Sequence, residues 1–361
     1  MQPGSHQPAA QQLDSPSNAS LSVRPFAPQD MSRWDGFVLS HPEGTFFHRS
    51  GWQGIFRDIF GLSPRYLVAE RGGAIAGILP LVFQNSLLFG KALVAAPFCV
   101  EGGPLSVDNE AQAALVQAAL AIQQETQAPY IELRGRQARQ AGWSVRKDLY
   151  ATFSRALSAD DKENLLAIPR KQRAVVRKTL DSSLVSETPD GIDEVFAVYA
   201  ESVRNLGTPV FPKRYFSALR RTFGADCDAV VIKDGGVPVS AVLNFYHQDT
   251  VLPYYGGGTA GARRNGANDF LYWEVMRRAA LKGYRRFDFG RSKAGTGAFA
   301  FKKNWGFEPQ WLEYEYHFLP GQTMPDKNPL NPKYSLFIEA WKKLPLPIAN
   351  FIGPWIIRGL G

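Results

Sequence analysis

The stretch that decides the fold runs from Val251 to Phe307, VLPYYGGGTAGARRNGANDFLYWEVMRRAALKGYRRFDFGRSKAGTGAFAFKKNWGF. Its pattern predicts a strand over 251–255, a turn at the glycines 256–258, a helix capped at 268 or 269, and a second strand over 286–289. Glycine turns without a Cβ penalty, helical spacing of apolar residues indicates the helix, and alternation indicates the second strand. A helix that starts after such a turn presents free backbone N–H groups to an anion. The stretch therefore predicts an α/β unit with an anion-binding turn.

The chain contains this kind of unit twice. Thr45 and Gly61 have counterparts of the same residue type 163 positions later, and Gly102 and Gly135 have them 155 positions later. Two constant offsets, each held over several positions, indicate two copies of one domain and not a short solenoid repeat. The difference between the offsets fits an insertion in the first copy around 84–98. We expect an α/β (α+β) protein of two tandem domains, each a mixed sheet flanked by helices, at 21–155 and 156–320.

Composition narrows the class of protein. The chain has 361 residues, 45% of them hydrophobic, and a net charge of +8 with a pI near 9.4, which favours an anionic partner. Its two cysteines are too few for a disulfide framework, and its scattered histidines indicate no metal site. Residues 1–20 are rich in Pro, Ser and Gln and predict a disordered lead-in without a signal peptide. We therefore expect a cytoplasmic protein, possible contact with the inner face of the membrane being left open.

That membrane contact would come from the tail at 321–361, which is Pro-rich and amphipathic. It is too short and too interrupted by proline to span a bilayer. One interpretation is that aromatic residues enter a membrane interface while basic residues meet lipid phosphates. The residues concerned are Trp341, Phe351 and Trp355, with Lys342, Lys343 and Arg358. The other interpretation is a tail packed onto the first domain.

The loop before the helix in the opening stretch resembles the pyrophosphate-binding turn of the GCN5-related (GNAT) acetyltransferase fold. The GNAT pattern is Gln or Arg, two residues, Gly, one residue, then Gly or Ala. Arg263 to Asn268 fits it except at the last position, where Asn268 stands. The resemblance implies a donor-binding set made of Gly257, Gly258, Arg263, Arg264, Gly266 and Asn268.

The second half also resembles the FemAB family of peptidyl and aminoacyl transferases, which carry two GNAT-like domains in tandem. The resemblance rests on Gly257-Gly258, Tyr272-Trp273-Glu274, Phe287-Asp288-Phe289-Gly290 and Phe301-Lys302-Lys303-Asn304-Trp305-Gly306-Phe307. Longer strings, among them ESVRNLGTPVFPKRYF and FDFGRSKAGTG, are similar to FemAB-like proteins found beside exosortase/PEP-CTERM exopolysaccharide systems. The resemblance covers about residues 21–361. It implies acyl or aminoacyl transfer to an amine, with the first domain on the acceptor side and the second on the donor and catalytic side.

The family's Phe-Lys pair maps onto Phe301 and Lys302. The resemblance implies that Lys302 stabilises charge developing in the transition state. Asp288 is a candidate base. The predicted substrate-binding residues are Tyr254, Tyr255, Lys213, Arg214, Arg291, Lys293 and Phe301. No Ser-His-Asp or Cys-His set is recognisable, which favours direct attack in a ternary complex over a covalent intermediate.

Three functions stay open at this point. The first is an acyl or aminoacyl transferase acting on an amino group of a peptidoglycan or exopolysaccharide precursor, an anionic or lipid-linked acceptor. Its donor would be an acyl-coenzyme A, an acyl-carrier thioester or an aminoacyl-tRNA, and no cofactor would be tightly bound. The second is a non-catalytic module that tethers a nucleotide- or lipid-linked sugar to an export complex. The third, RNA binding without chemistry, is disfavoured because the chain has no RRM-type aromatic signature and no dense basic run. The sequence does not determine an oligomeric state.

Overall fold

The computed structural model describes residues 20–86, 90–324 and 335–359. The predicted lead-in lies outside these ranges except for its last residue. Residues 325–334 of the tail also lie outside them. The first half contains β1 (Leu21–Pro25), α1 (Met31–Ser40), α2 (Gly51–Phe60), β2 (Ser63–Pro64), β3 (Leu67–Arg71), β4 (Ala74–Leu79), β5 (Leu81–Ser86), β6 (Gly90–Ala95), β7 (Leu105–Ser106), α3 (Asn109–Thr126), β8 (Tyr130–Gly135), β9 (Ser144–Arg146), β10 (Tyr150–Thr152) and β11 (Ser154–Ala156). The second half contains α4 (Asp161–Ala167), α5 (Arg170–Leu180), β12 (Val185–Glu187), α6 (Asp193–Asn205), α7 (Lys213–Phe223), β13 (Cys227–Asp234), β14 (Val237–His247), β15 (Thr250–Gly258), α8 (Ala260–Asn265), α9 (Ala267–Leu281), β16 (Arg286–Asp288), β17 (Ser292–Lys293), α10 (Gly297–Asn304), β18 (Gln310–Trp311), β19 (Glu313–Phe318), α11 (Ser335–Lys342) and α12 (Leu346–Ile357).

The two halves repeat the same local structure. Helices α2 and α7 occupy equivalent positions and end at Gly61 and Gly224, whose φ angles of 61° and 53° favour glycine because it has no Cβ. In each half a hairpin follows, β3–β4 in the first and β13–β14 in the second. Helices α3 and α9 then lead to strands β8 and β16. The predicted tandem repeat is thus present in the secondary structure.

Each half is built on a mixed sheet. The second-half sheet has the order β11-β16-β15-β14-β13-β12, and the first-half sheet has the order β2-β5-β6-β8-β19-β9. Strand β14 is continuous, whereas Pro80 separates its counterparts β4 and β5, and β4 joins a smaller sheet, β1-β3-β4-β7. Proline removes a ladder hydrogen bond, which suits a break between sheets. Strands β5 and β6 pair as a hairpin in the region of the predicted insertion.

The halves exchange strands. Strand β19 follows the second half in sequence but pairs with β8 of the first, with Glu313 opposite Gly135. Strand β11 lies at the end of the first half in sequence but pairs with β16 of the second half, with Ser154 opposite Asp288. The predicted boundary at 155/156 stays a prediction, and sheet pairing crosses it in both directions.

A shared aromatic core fixes one half against the other. Phe46 of the first half stacks on Phe245 of the second, with ring centroids 4.3 Å apart. Trp52 on α2 packs against Phe223 on α7 at 5.3 Å. These side chains are almost fully buried, and each buried aromatic ring stabilises the fold by several kcal/mol, about 3–5 kcal/mol relative to alanine. The cavities between the halves are therefore bounded by well-packed walls.

Two local expectations from the opening stretch are wrong. The glycines at 256–258 do not form a turn, because β15 continues through Gly258 and none of the three has a positive φ. Their lack of a side chain serves close packing instead: a Cβ on Gly257 would overlap Ser202, and one on Gly258 would overlap Asn268. Helix α9 begins at Ala267, and its cap is Gly266, with φ 75°, not residue 268 or 269.

The described part of the tail packs on α6. A Cβ on Gly353 of α12 would lie 2.8 Å from the backbone nitrogen of Val210, and Trp341 of α11 is 3% exposed. Arg358 donates to the carbonyl of Gly61 at 3.4 Å, so the tail also touches the first half. No helix within the described ranges has both the length and the apolar character needed to cross a bilayer.

Candidate active site

The parallel strands β15 and β16 separate at the centre of the second half. Within the described ranges they pair at Thr250 with Arg286 and at Val251 with Phe287, after which β15 continues to Gly258 with its other edge paired to β14. From Leu252 onward the described residues supply no strand partner for the edge of β15 that faced β16. A cavity of about 390 Å³ opens where the strands part, lined by Phe98, Val100, Arg134, Tyr199, Val203, Phe211, Tyr254, Tyr255, Gly256, Phe289, Gly290 and Arg291. We call it the strand-split cavity.

Two tyrosines of β15 form one wall of the strand-split cavity. The register of β15 against β14 slips at Tyr254, a β-bulge that re-aims the side chains around it. The Tyr254 hydroxyl donates to the carbonyl of Phe98 at 3.0 Å, and the Tyr255 hydroxyl lies 2.7 Å from that of Tyr215. Burial raises the pKa of both cavity tyrosines well above the usual value, so they are neutral at physiological pH. They act as rigid, partly polar walls.

Two arginines bring positive charge to the cavity. Arg134 is 6% exposed, pairs with Glu132 at 2.7 Å and donates to the carbonyls of Ala96 and Cys99. Arg291, which follows β16, stacks over the Tyr150 ring at 4.5 Å and donates to the Tyr314 hydroxyl at 2.9 Å. Among the residues that the structure describes, no carboxylate forms an ion pair with Arg291.

Lys302 lies behind the segment 289–291 and not in the cavity. Its ammonium group donates to the carbonyls of Phe289, Gly290 and Arg291 at 2.8, 2.7 and 3.3 Å. Burial lowers the pKa of Lys302 to about 7, against the opposing effect of the Asp288 charge. In this geometry the lysine shapes the turn that carries Arg291, and its direct contact with a reacting atom stays a prediction.

A second, more polar cavity of about 560 Å³ lies beyond the carboxyl end of β8, lined mainly by residues of the first half. We call it the first-half cleft. Its lining includes Glu43, Glu101, Arg136, Arg139 and Glu315. A third cavity of about 90 Å³ shares the lining residues Glu101 and Arg136 with this cleft, and Val100 and Gly290 with the strand-split cavity. The two larger cavities therefore lie side by side at these residues.

Two carboxylates lie where these cavities adjoin. Arg136 pairs with Glu101 at 3.0 Å and lies 3.7 Å from Asp288. Asp288 accepts hydrogen bonds from the Thr152 hydroxyl at 2.8 Å and from the Gly290 N–H at 2.7 Å. Burial raises the pKa of Glu101, and the nearby charge of Asp288 adds to that shift. A carboxylate whose pKa is raised toward neutrality is suited to accept a proton.

Several predicted site residues lie elsewhere. Lys213 is half exposed and pairs with Asp193 at 2.8 Å, while Arg214 donates to the carbonyl of Ile59. Arg263 and Arg264 are exposed on α8, and none of these four lines a cavity described above. Their predicted contacts with substrate or donor stay predictions, unsupported by this geometry.

The remaining predicted residues have packing roles in this conformation. Phe301 packs against Tyr272, with ring centroids 5.6 Å apart, and Lys293 lies in β17 opposite Tyr150. Asn268 accepts a hydrogen bond from Ser240 at 2.7 Å, which holds the start of α9 against β14. Of the predicted set, the structure brings Tyr254, Tyr255, Arg291 and Asp288 to the cavities, and Lys302 lies behind the segment that carries Arg291.

Sequence reasoning missed three polar residues of the first half that complete the site, namely Glu101, Arg134 and Arg136. The repeat contained a signal for one of them, because Arg136 is the counterpart of Arg291 155 positions earlier. Glu101 and Arg134 have Gly256 and Phe289 at the equivalent positions, so the repeat does not point to them.

Comparison with known proteins shows a family match within the second half of the chain. Residues 168–303 match the family described as "Acetyltransferase (GNAT) domain". No curated protein matches the sequence. Among solved structures the chain is similar to FemX, at 17% identity and a TM-score of 0.62, covering 82% of this chain and 97% of that one.

Two further structures have the same fold. A tandem GNAT protein from the clavulanic acid biosynthesis pathway shows 14% identity and a TM-score of 0.51, covering 83% of this chain and 98% of that one. The C-terminal domain of a putative lysylphosphatidylglycerol synthetase from Agrobacterium fabrum shows 16% identity and a TM-score of 0.52, covering 79% and 91%. The predicted fold of two tandem GNAT-like domains is confirmed, as is the FemAB-like resemblance at the level of fold and domain family. The GNAT domain match supports an acyltransferase, as predicted. The association with PEP-CTERM systems stays a prediction.

Proposed function

Starting from a tandem GNAT fold with an acetyltransferase domain at 168–303, we propose that this protein transfers an acyl group to an amine where its two larger cavities lie side by side. The observation that carries the proposal is the separation of β15 from β16, with a cavity of about 390 Å³ between them. In this proposal the substrate carbonyl lies beside the edge of β15 for which the described residues supply no strand partner. A backbone N–H aimed at a developing oxyanion lowers the barrier because it is already oriented.

The acyl donor enters the strand-split cavity, and the amine enters from the first-half cleft. The amine nitrogen attacks the carbonyl carbon, the new C–N bond forms, and the bond from that carbon to the sulfur or oxygen of the carrier breaks. Glu101, or Asp288 beside it, accepts the proton that the nitrogen loses, and the carrier leaves as a thiol or hydroxyl after protonation. The protein's main task is then to hold the acyl donor and the amine next to each other in one site. No enzyme-bound intermediate is required.

Lys302 contributes through the segment 289–291. Its ammonium group holds three carbonyls of that segment together, and so fixes Arg291 and the backbone around Gly290 at the cavity wall. We assign it a positioning role in this proposal. Lys302 is buried near Asp288, and its protonated form also stabilises negative charge that develops on the reacting atoms nearby.

GNAT domains use acyl-coenzyme A as a donor substrate, and it is the first donor to examine. The polar first-half cleft, with arginines and carboxylates on its wall, suits a polar and partly anionic amine such as an amino sugar of an envelope precursor. We therefore place the acceptor among peptidoglycan or exopolysaccharide precursors, in keeping with the FemAB-like fold.

The test measures transfer directly. Purified protein is incubated with acyl-coenzyme A or with aminoacyl-tRNA, and with amino sugars or their nucleotide-linked forms, and the N-acylated product is detected by mass spectrometry. The proposal expects an amide product that requires Glu101 or Asp288, with the exposed Lys303→Met variant as a matched control for unspecific loss. A panel that yields no amide, from protein that binds nucleotide-linked sugars but no acyl donor, would contradict it and favour a tethering module.

A further inference from the structure

The charged residues that line the strand-split cavity are all positive. Of its lining residues, Arg134 and Arg291 are cationic and none is Asp or Glu. Arg134 is neutralised by Glu132 at 2.7 Å, whereas Arg291 has neutral hydroxyl and ring partners in the described ranges. Lys302 lies behind the wall and donates to the carbonyl of Arg291 at 3.3 Å. A ligand that fills the cavity therefore meets excess positive charge.

Most of the remaining lining is apolar or already hydrogen-bonded. Aromatic and aliphatic side chains make most of the wall, namely Phe98, Val100, Tyr199, Val203, Phe211, Tyr254, Tyr255 and Phe289. The hydroxyls of Tyr254 and Tyr255 are engaged with Phe98 and Tyr215. Arg291 thus offers the strongest unused donors, and a guanidinium matches a carboxylate in geometry as well as charge.

We infer that the strand-split cavity takes an acyl group with an apolar body and a carboxylate, bound by Arg291. This inference rests on the proposed function and names the acyl class for the same site. An aminoacyl group with a free ammonium is disfavoured, because the lining offers it two guanidinium groups and no carboxylate. Burying a charge without a counter-charge is costly, so the selection between the two classes follows from electrostatics.

The test uses binding, so that it does not depend on transfer. The probes are hydrolysis-resistant ketone analogues of N-acetylcysteamine thioesters whose acyl chains are equal in length and end in a carboxylate, an isopropyl group or a trimethylammonium group. Affinities are measured by calorimetry for the wild type, Arg291→Gln and Arg291→Lys. Arg57→Gln is the matched control, since Arg57 is exposed and pairs only with Asp58 among the described residues.

We expect the carboxylate probe to bind wild type at least about 100-fold more tightly than the trimethylammonium probe, because truncating one side of a buried charge pair typically has such an effect. Arg291→Gln should lose that preference, Arg291→Lys should retain part of it, and Arg57→Gln should retain all of it. Thermal unfolding verifies that Arg291→Gln is folded.

Three outcomes would overturn the inference. Equal binding of the three probes shows a cavity indifferent to charge, and preference for the cationic probe indicates an aminoacyl donor. Arg291-dependent binding of coenzyme A itself, with no preference among the acyl ends, assigns Arg291 to carrier phosphates. In each case acyl transfer measured as above can still succeed, so failure of this inference is distinguishable from failure of the proposed function.

A different observation concerns the outer face of the tail. Helix α12 packs on the protein through Ala349, Gly353 and Ile357 and shows an apolar face to solvent. On that face Ile348, Phe351 and Trp355 are 45%, 75% and 69% exposed. Leu336 and Phe337 of α11 are exposed as well. An exposed apolar face of this size marks a contact surface.

The charges around this face favour an anionic bilayer as its occupant. Over 336–359 the cations are Lys342, Lys343 and Arg358, and the acid is Glu339, which pairs with Lys342 at 2.7 Å. A helix with aromatic and aliphatic residues on one face and cations at its ends lies in a membrane interface. We propose that the α11–α12 face docks the protein on anionic phospholipid, with its apolar side chains among the acyl chains.

Vesicle flotation tests this docking. Full-length protein should float with vesicles of phosphatidylcholine containing one-third phosphatidylglycerol and bind pure phosphatidylcholine at least several-fold less, because cations near the face are attracted to an anionic surface. Phe351→Ser with Trp355→Ser should reduce flotation about 10-fold or more, and both sites are exposed, so the fold should persist. Unchanged flotation would overturn the proposal. So would a dimer that the double variant dissociates, since the face would then bind a second copy.

Discussion

Arg136 and Arg291 occupy the same position in the two copies of the repeat, directly after the last paired strand, yet their surroundings are opposite. Arg136 is 48% exposed at its side chain and has two carboxylates, Glu101 and Asp288, within ion-pair distance. Arg291 packs between the rings of Tyr150 and Tyr314, and the described residues supply it with no carboxylate. One copy pairs its arginine with carboxylates, whereas the described residues of the other supply none. Under the proposed function, this difference in counter-charge separates the acceptor side from the donor side.

The largest effect should come from replacing Lys302, which holds the segment that carries Arg291. Lys302→Met deletes three hydrogen bonds from a buried ammonium group to the 289–291 carbonyls. We expect kcat/KM for acyl transfer to fall at least about 100-fold and the free energy of unfolding to fall by about 2–3 kcal/mol, since buried acceptors lose charged donors. Kinetics and denaturant unfolding measure the two. Lys303→Met, its exposed neighbour, should change neither, and equal losses in both variants would contradict the assignment.

The next prediction concerns Glu101, the carboxylate that pairs with Arg136. Its titration should appear in the pH profile of acyl transfer. Because burial raises the pKa of Glu101, it gains its ability to accept a proton at a higher pH than an exposed glutamate does. Transfer should therefore increase with pH through the folded pKa of Glu101. Glu101→Gln should lower kcat by about 10²-fold and shift or remove that limb. A Gln variant that keeps the wild-type profile would exclude Glu101 as the base and leave Asp288→Asn as the decisive variant.

Two buried histidines should also make the fold sensitive to acid, namely His48, which lines the first-half cleft, and His247, which lines the cavity of about 90 Å³ beside it. Burial lowers the pKa of His48 to about 3 and that of His247 to about 4, so both stay neutral in the folded chain while the unfolded chain protonates them below about pH 6.5. The unfolded state then binds more protons, so stability is complete above pH 6.5 and declines as pH falls toward 4. The decline should approach about 1.4 kcal/mol per pH unit for each histidine. His48→Gln should reduce the slope in pH-dependent denaturant unfolding, and an unchanged slope would contradict this origin.

The smallest effects should come from the basic residues that the structure leaves outside both cavities. Lys213→Ala and Arg214→Ala remove exposed contacts to Asp193 and to the Ile59 carbonyl. Exposed pairs contribute about 0–1 kcal/mol, so transfer rate and donor affinity should stay within about two-fold of wild type. A larger loss would extend the site to the start of α7, as the sequence resemblance implied.

The sequence was sufficient for the architecture because hydrophobic periodicity and constant glycine offsets are local and repeat-wide signals. It located Tyr254, Tyr255, Asp288 and Arg291 because they lie in the repeated strand ends. The prediction of a turn at the glycines 256–258 was wrong. These glycines allow close approach to Ser202 and Asn268, a tertiary contact that sequence spacing does not encode. Sequence reasoning also missed Glu101 and Arg134, since their place in the site depends on strand exchange and on the packing of one half against the other.

The most direct test of the account is binding of a hydrolysis-resistant acyl-coenzyme A thioether to wild type and to Val203→Trp, which fills the strand-split cavity from α6. Calorimetry and thermal unfolding are recorded on both proteins. The account predicts saturable binding to wild type and at least a tenfold loss in a Val203→Trp variant that remains folded, as expected when a bulky ring occupies the ligand's volume. Equal affinity of the two proteins would place the donor outside the cavity between β15 and β16 and contradict the central claim.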